Sequence, residues 1–96
     1  MKTVLYGLVT AQDIADADLL AGITPTSFIT NGADQAPAGL GVPVEVYPLS
    51  QMLDYDTAVR QQDMVMITHG DALIIRGRHP VLVERARRMK LVVYEA

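Results

Sequence analysis

The C-terminal stretch constrains the fold more than any other part of the chain. Asp71-Ala72-Leu73-Ile74-Ile75 is a short apolar run, and Arg76-Gly77-Arg78-His79-Pro80 is a tight basic turn. Val81–Lys90 then carries helical periodicity, and Leu91-Val92-Val93-Tyr94 is a second apolar run. Two β-rich runs on either side of one helical segment make a β-α-β unit with parallel strands. A lone β-α-β unit leaves its strands uncovered on one face, so the rest of the chain has to complete a parallel sheet with helices on both sides.

The preceding sequence supplies such parts. Thr3-Val4-Leu5-Tyr6-Gly7-Leu8-Val9 is a continuous apolar run, as expected of a strand buried on both faces. Thr10 is placed to cap a helix carrying Ile14, Ala17 and Leu20, with Asp13 near its N-terminus and Ala21-Gly22 as its stop. Thr26–Thr30 reads as a second strand and Val42–Tyr47 as a third. The eleven residues between them, Asn31 to Gly41, are too many for a tight hairpin and about the minimum for a parallel crossover. A short helical turn near Ala36–Leu40 or an irregular cover has to serve. Met52, Tyr55, Val59 and Met66 share one helical face, with Ser50 or Asp54 as cap, Arg60-Gln61-Gln62-Asp63 on the polar side and Gly70 as stop. One helix or two short ones fit that stretch. In the last helix Leu82, Ala86 and Met89 form the inward stripe, and Glu84 and Arg88 form an exposed pair one turn apart.

The expected fold is therefore α/β: a three-layer Rossmann-like sandwich with a mostly parallel five-stranded sheet, strand order 3-2-1-4-5. That order puts a switch point between the first and fourth strands, and ligands of open α/β sheets bind at the carboxyl ends of such strands. With 96 residues the chain is one domain. A core of this size is modest, which favours a homo-oligomer. The absence of cysteine excludes disulfides and thiolate metal sites, and no apolar run approaches the ~20 residues of a membrane span. Nothing in the sequence marks export, so the expected setting is cytoplasmic. Two distant histidines without clustered acids give no metal site, and no cofactor motif is present. The net charge of −3 is uneven: residues 1–59 hold one basic and seven acidic groups, residues 60–96 seven basic and four acidic. An acidic protein without aromatics among its basic residues is a poor fit to nucleic acid, whereas a local anion site suits the basic C-terminal part.

Several motifs in order resemble the SLOG superfamily of Rossmann-like nucleotide-binding domains, which includes the DprA/Smf proteins and the LOG phosphoribohydrolases, and most nearly its YspA-like branch. They are Thr30-Asn31-Gly32-Ala33-Asp34, Gly41-Val42-Pro43-Val44, Arg60-Gln61-Gln62-Asp63-Met64, Gly70-Asp71-Ala72-Leu73-Ile74, Ala86-Arg87 and Lys90-Leu91-Val92-Val93. The chain departs from that family at Gly7-Leu8-Val9-Thr10, where Gly-Ser-Arg is usual, and at Arg78-His79-Pro80, where Gly-Thr is usual. The LOG Pro-Gly-Gly-x-Gly-Thr motif and catalytic Arg/Glu pair are absent. The resemblance implies binding of a nucleotide or nucleotide-derived signal rather than its turnover. A role as a phage anti-defence sponge for cyclic-nucleotide or ADP-ribose-type immune signals would suit so minimal a domain.

The candidate ligand residues follow. Arg76, Arg78 and His79 border the start of the last helix, where free amide groups and the helix dipole favour phosphate. Asn31, Gly32 and Asp34 form a turn after the second strand, with Asp34 a candidate acceptor for ribose or base; Gly7 and Thr10 follow the first strand. The resemblance adds Arg60. His69 is expected to be structural. No catalytic residue is assigned. The alternatives are a LOG-type N-glycosidic hydrolase, with Asp34 or Asp71 as its carboxylate, and a ligand-free interaction module.

Overall fold

A computed structural model describes residues 1–96. Five strands and three helices alternate along the chain: β1 (Lys2–Tyr6), α1 (Ala11–Ala21), β2 (Ser27–Thr30), β3 (Val44–Val46), α2 (Tyr55–His69), β4 (Ala72–Ile75), α3 (Pro80–Arg88) and β5 (Val92–Glu95). The strands form one sheet in the order β3-β2-β1-β4-β5, and every pairing is parallel. This is the Rossmann-like sandwich expected from the sequence.

Alternation along the buried strands sorts their side chains into two cores. Val4, Tyr6, Ile29, Leu73 and Ile75 face α2 and α3, packing with Met66, Ile67, Leu82, Val83 and Ala86. Leu5, Phe28, Ala72 and Ile74 face the other way and pack with Ala17 and Ile23 at α1. The register enforces the sorting, because Val4 lies opposite both Ile29 and Leu73. A one-residue slip would turn each strand's side chains to the opposite face.

The helix ends follow local chemistry. Thr10 and Asp13 form a capping box: the Asp13 N–H donates to Thr10 Oγ1 (3.1 Å), and the Thr10 N–H donates to Asp13 Oδ2 (2.9 Å). Asp54, rather than Ser50, caps a single continuous α2, its carboxylate accepting from the Thr57 N–H (3.0 Å) and hydroxyl (2.7 Å). Pro80 occupies the first turn of α3, where a missing N–H costs nothing. Within α3, Val83 rather than Met89 joins Leu82 and Ala86 in the core, and Met89 closes the helix.

Between β2 and β3 the chain forms no helix. Residues 31–43 are an irregular cover whose Ala36 and Val42 pack against the α1-side core. The β2–β3 pairing is parallel, so Asn31-Gly32 starts an open connection and not a hairpin. That face of β3 consequently stays open, with Val44 and Val46 exposed on an edge strand. Met52, placed on the helical stripe by its spacing, lies before α2 and is exposed. No helix is long and apolar enough to cross a membrane.

The tightest backbone contact lies where β1 and β4 end. Gly7 has φ +84°, and a Cβ on it would lie 2.0 Å from the Arg76 carbonyl oxygen. Gly39 has a similar φ of +81° with nothing near its missing Cβ. Gly7→Ala is expected to cost well over the ~1–2 kcal/mol of left-handed strain alone, because backbone must also move. Gly39→Ala should show only that strain. Urea unfolding of the two variants checks the difference, and equal losses would refute the close-approach account.

Candidate functional site

Beyond the carboxyl ends of β1 and β4 the chain leaves the sheet on two sides, and different charged groups collect on each. On the α1 side is Arg76, the first residue after β4. Its Nε and Nη2 donate to Asp13 Oδ2 (2.8 Å) and Oδ1 (2.7 Å), a two-pronged pair. Asp13 is buried and its carboxyl is held well below the usual carboxylate range, first by Arg76 and further by the Thr10 hydrogen bonds, against the cost of burial. Arg76, expected from the sequence to contact phosphate, is thus committed to α1 and does not line the groove described next. It ties α1 to the end of β4.

On the α2–α3 side is a groove of about 390 Å³, within the size range of small-molecule sites. Tyr6, Met64, Pro80, Val81 and Leu82 supply its ring and apolar surface, and Arg60, Asp63, Arg78, His79 and Arg85 its charged and polar groups. Tyr6 arrives there because it ends β1 on the α2–α3 face. Arg60, Asp63 and Met64 share a face of α2 at the spacing of one helical turn. Arg78 and His79 come from the turn that opens α3, and Arg85 lies farther along that helix.

Three polar groups meet within the groove. The Tyr6 hydroxyl donates to Asp63 Oδ2 (3.1 Å), and the His79 ring stands edge-on to Tyr6 with centroids 4.9 Å apart. Asp63 Oδ1 is buried with no hydrogen-bond partner. Burial pushes the Asp63 carboxyl above its usual range, opposed by the Tyr6 hydrogen bond and the His79 charge and reinforced by Asp34. Burial, followed by the charge and hydrogen bond of Asp63, also pushes the Tyr6 phenol up.

The arginines fall into two groups. Arg76, Arg87 and Arg88 form salt bridges, with Asp13, Glu95 and Glu84 respectively. Arg60, Arg78 and Arg85 form none, and all three line the groove. At the same place α3 starts without a side-chain cap, since its N-cap residue His79 makes no capping hydrogen bond. Cationic side chains beside an uncapped helix N-terminus suit an anion.

Of the residues expected from the sequence, the groove brings together Arg60, Arg78 and His79. The others do different work. Gly7 permits the close approach to Arg76, and Thr10 caps α1. Asn31 Oδ1 accepts from the Ala33 (3.0 Å) and Asp34 (2.7 Å) N–H groups, and its amide donates to Asp34 Oδ2 (3.1 Å). Gly32 and Asp34 thus belong to an Asx-stabilised turn outside the groove lining. Gln62, read as part of a polar face, is buried: its amide donates to the carbonyls of Tyr47 (2.8 Å) and Asn31 (3.3 Å), tying this turn to α2. His69 packs edge-on to Tyr47 and lies outside the groove. Tyr6, Asp63 and Arg85 are site residues that the sequence reading missed. Tyr6 was the one signal available, a phenol ending an otherwise aliphatic strand next to the expected crevice.

Asp13 gives the clearest pH expectation. Its pKa is lowered in the folded state, so its contribution is complete above the unfolded value of about 4 and is lost as pH falls below it. Asp13→Asn should cost about 1–2 kcal/mol at neutral pH, discounted because Arg76 is half-exposed. The gap between wild type and variant should narrow below about pH 4. Chemical unfolding across pH measures this, and a pH-independent gap would contradict the pairing.

No protein-family model matches the chain, and no curated protein or solved structure is significantly similar to it, so what this groove does has to be read from its own residues.

Proposed function

We propose that the chain is a non-catalytic binding domain for a nucleotide or nucleotide-derived anion, held in the groove between α2 and α3. One observation carries this reading: the three arginines that have no carboxylate partner are the three that line the groove. Three guanidinium groups around one groove, with Asp63 the one acid in its lining and bonded to Tyr6, leave a surplus of positive charge that a phosphate meets with charge-assisted hydrogen bonds. The apolar surface of Met64, Val81 and Leu82 beside them suits a ring attached to the phosphate. The resemblance to SLOG domains supports the same ligand class, and sequestration of an immune signalling nucleotide by a phage protein is the role we favour.

A thermal-shift screen with nucleotides, cyclic di- and trinucleotides and ADP-ribose tests it, followed by chromatography of the recovered ligand. A ligand at 100 times its Kd adds about 2.7 kcal/mol, a shift of many degrees in a domain this small. Arg78→Ala and Arg85→Ala should each weaken binding about tenfold, whereas Arg76→Ala should lower stability with little change in Kd. A ligand recovered intact supports binding alone. No shift with any of these compounds would refute the proposal.

A second reading, hydrolysis of an N-glycosidic bond, draws on Asp63. Asp63 lines the groove, and burial raises its carboxyl from its ordinary value, which is the direction that favours a general acid. Asp71 no longer fits that role, because its Oδ2 accepts from the Lys2 N–H (2.9 Å) at the amino end of the sheet. Free base recovered after incubation with nucleoside monophosphates would favour this reading.

The open β3 edge and exposed Leu49, Met52, Leu53 and Tyr55 favour a homo-oligomer. Light scattering should give at least twice the 10.5 kDa chain mass, and a monomer would contradict it.

A further inference from the structure

We infer that Asp63 reads a hydrogen-bond donor on the ligand, a hydroxyl or amino group carried by the same molecule whose phosphate the arginines hold. This rests on the anion-binding reading above and adds a second point of recognition to it.

Asp63 is a carboxylate with only part of its hydrogen-bonding capacity used. Oδ2 accepts from the Tyr6 hydroxyl, while Oδ1 is buried without a partner. An ionised carboxylate accepts only, so nothing but a donor satisfies the empty oxygen. Leaving it unmet is costly, and such a group in a folded protein calls for an explanation. The available cations do not supply one. Arg60 lies one turn away on the same helix, and Arg78 and Arg85 line the same groove, yet none forms a salt bridge with Asp63. Asp63 lines the groove, and rotation about its terminal Cβ–Cγ bond is soft, so a small turn of the carboxylate brings the unpartnered oxygen toward a donor in the groove. Such a donor meets an acceptor beside the Tyr6 hydroxyl.

The arrangement also narrows the ligand. Inorganic phosphate satisfies the arginines, but its P–OH donor sits on the anion itself, so it cannot reach Asp63 without bringing negative charge against the carboxylate. A phosphate ester carrying a donor at a distance satisfies both, with its ring over Val81 and Leu82. Adenosine 5′-monophosphate has two such sources, the exocyclic amine and the ribose hydroxyls. Purine riboside 5′-monophosphate lacks the amine, and 2′,3′-dideoxyadenosine 5′-monophosphate lacks the hydroxyls.

Calorimetric titration of these three esters and of inorganic phosphate into wild type, Asp63→Leu and Asp63→Asn decides the matter, with recovery of intact ester checked by chromatography. Wild type should bind adenosine 5′-monophosphate more tightly than phosphate. Asp63→Leu should weaken adenosine 5′-monophosphate about tenfold or more while leaving phosphate unchanged or tighter. The Asp63→Leu penalty should disappear for one of the two analogues, which identifies the donor. Asp63→Asn retains a carbonyl acceptor and should recover part of the affinity, separating recognition from misfolding. Equal penalties on all three esters, or none on any, would overturn the role of Asp63 while leaving the arginine site standing. Failure of wild type to bind phosphate or the esters, together with no thermal shift from any nucleotide, cyclic nucleotide or ADP-ribose, would overturn both.

Discussion

The structure depends on how closely β1 and β4 run together at their carboxyl ends. The Arg76 N–H donates to the Tyr6 carbonyl (3.0 Å), and the Arg76 carbonyl fills the space that a side chain on residue 7 would need. The sheet's order reverses at this seam, since β2 and β3 lie beyond β1 while β5 lies beyond β4. The chain leaving β1 turns toward α1, and the chain leaving β4 turns toward α3. Tyr6 is thereby aimed into one layer and the Arg76 side chain into the other. A bulkier residue at position 7 would push the strands apart and shift the Asp13–Arg76 pair and the Tyr6–Asp63 pair together.

Two aspartates, one on either side of that seam, show how environment sets charge. Asp13 is the more deeply buried, yet its carboxyl is lowered because a guanidinium and the α1 capping groups surround it. Asp63 has one hydrogen bond, from a phenol, with the His79 charge nearby, and burial still dominates. A neutral hydroxyl returns less of the desolvation cost than a two-pronged cation does. The first pair fastens a helix to the sheet. The second leaves a carboxylate under-used beside three cations, an arrangement better suited to meeting a ligand than to holding a fold together.

The sheet was legible because its strands are short, aliphatic and bounded by strong stop signals, and because the helices between most of them, and the long connection between β2 and β3, suit parallel pairing. Thr10, Gly22, Gly70 and Pro80 all punctuate the chain where the sequence places them. Residues 31–43 were less legible, since a cover made by Ala36 and Val42 leaves no periodic trace. The site was only partly readable for a similar reason. Sequence shows that Arg76 and Arg78 are two residues apart, but they leave the turn toward opposite faces of the sheet, and only the fold shows that Asp13 claims the first. Likewise Gln62 and Asp63 look alike on a polar helix face, although one closes the α2–β3 seam and the other enters the groove.

Sorting the arginines by partner gives the groove its meaning. An exposed salt bridge contributes little, so pairing Arg87 with Glu95 and Arg88 with Glu84 is not what keeps the domain folded. Its significance is that acids were within reach of α3 and were placed on its far side. Arg85 shares that helix and faces the groove without one. Along α2 the only acid entering the groove is Asp63, and its bond goes to Tyr6 rather than to Arg60. A purely structural groove would gain by crossing these partners, neutralising the arginines and filling the empty carboxylate oxygen at once. Keeping cations and carboxylate apart in one small cleft costs stability in a chain with little core to spare, and a ligand bearing both an anion and a donor satisfies them together.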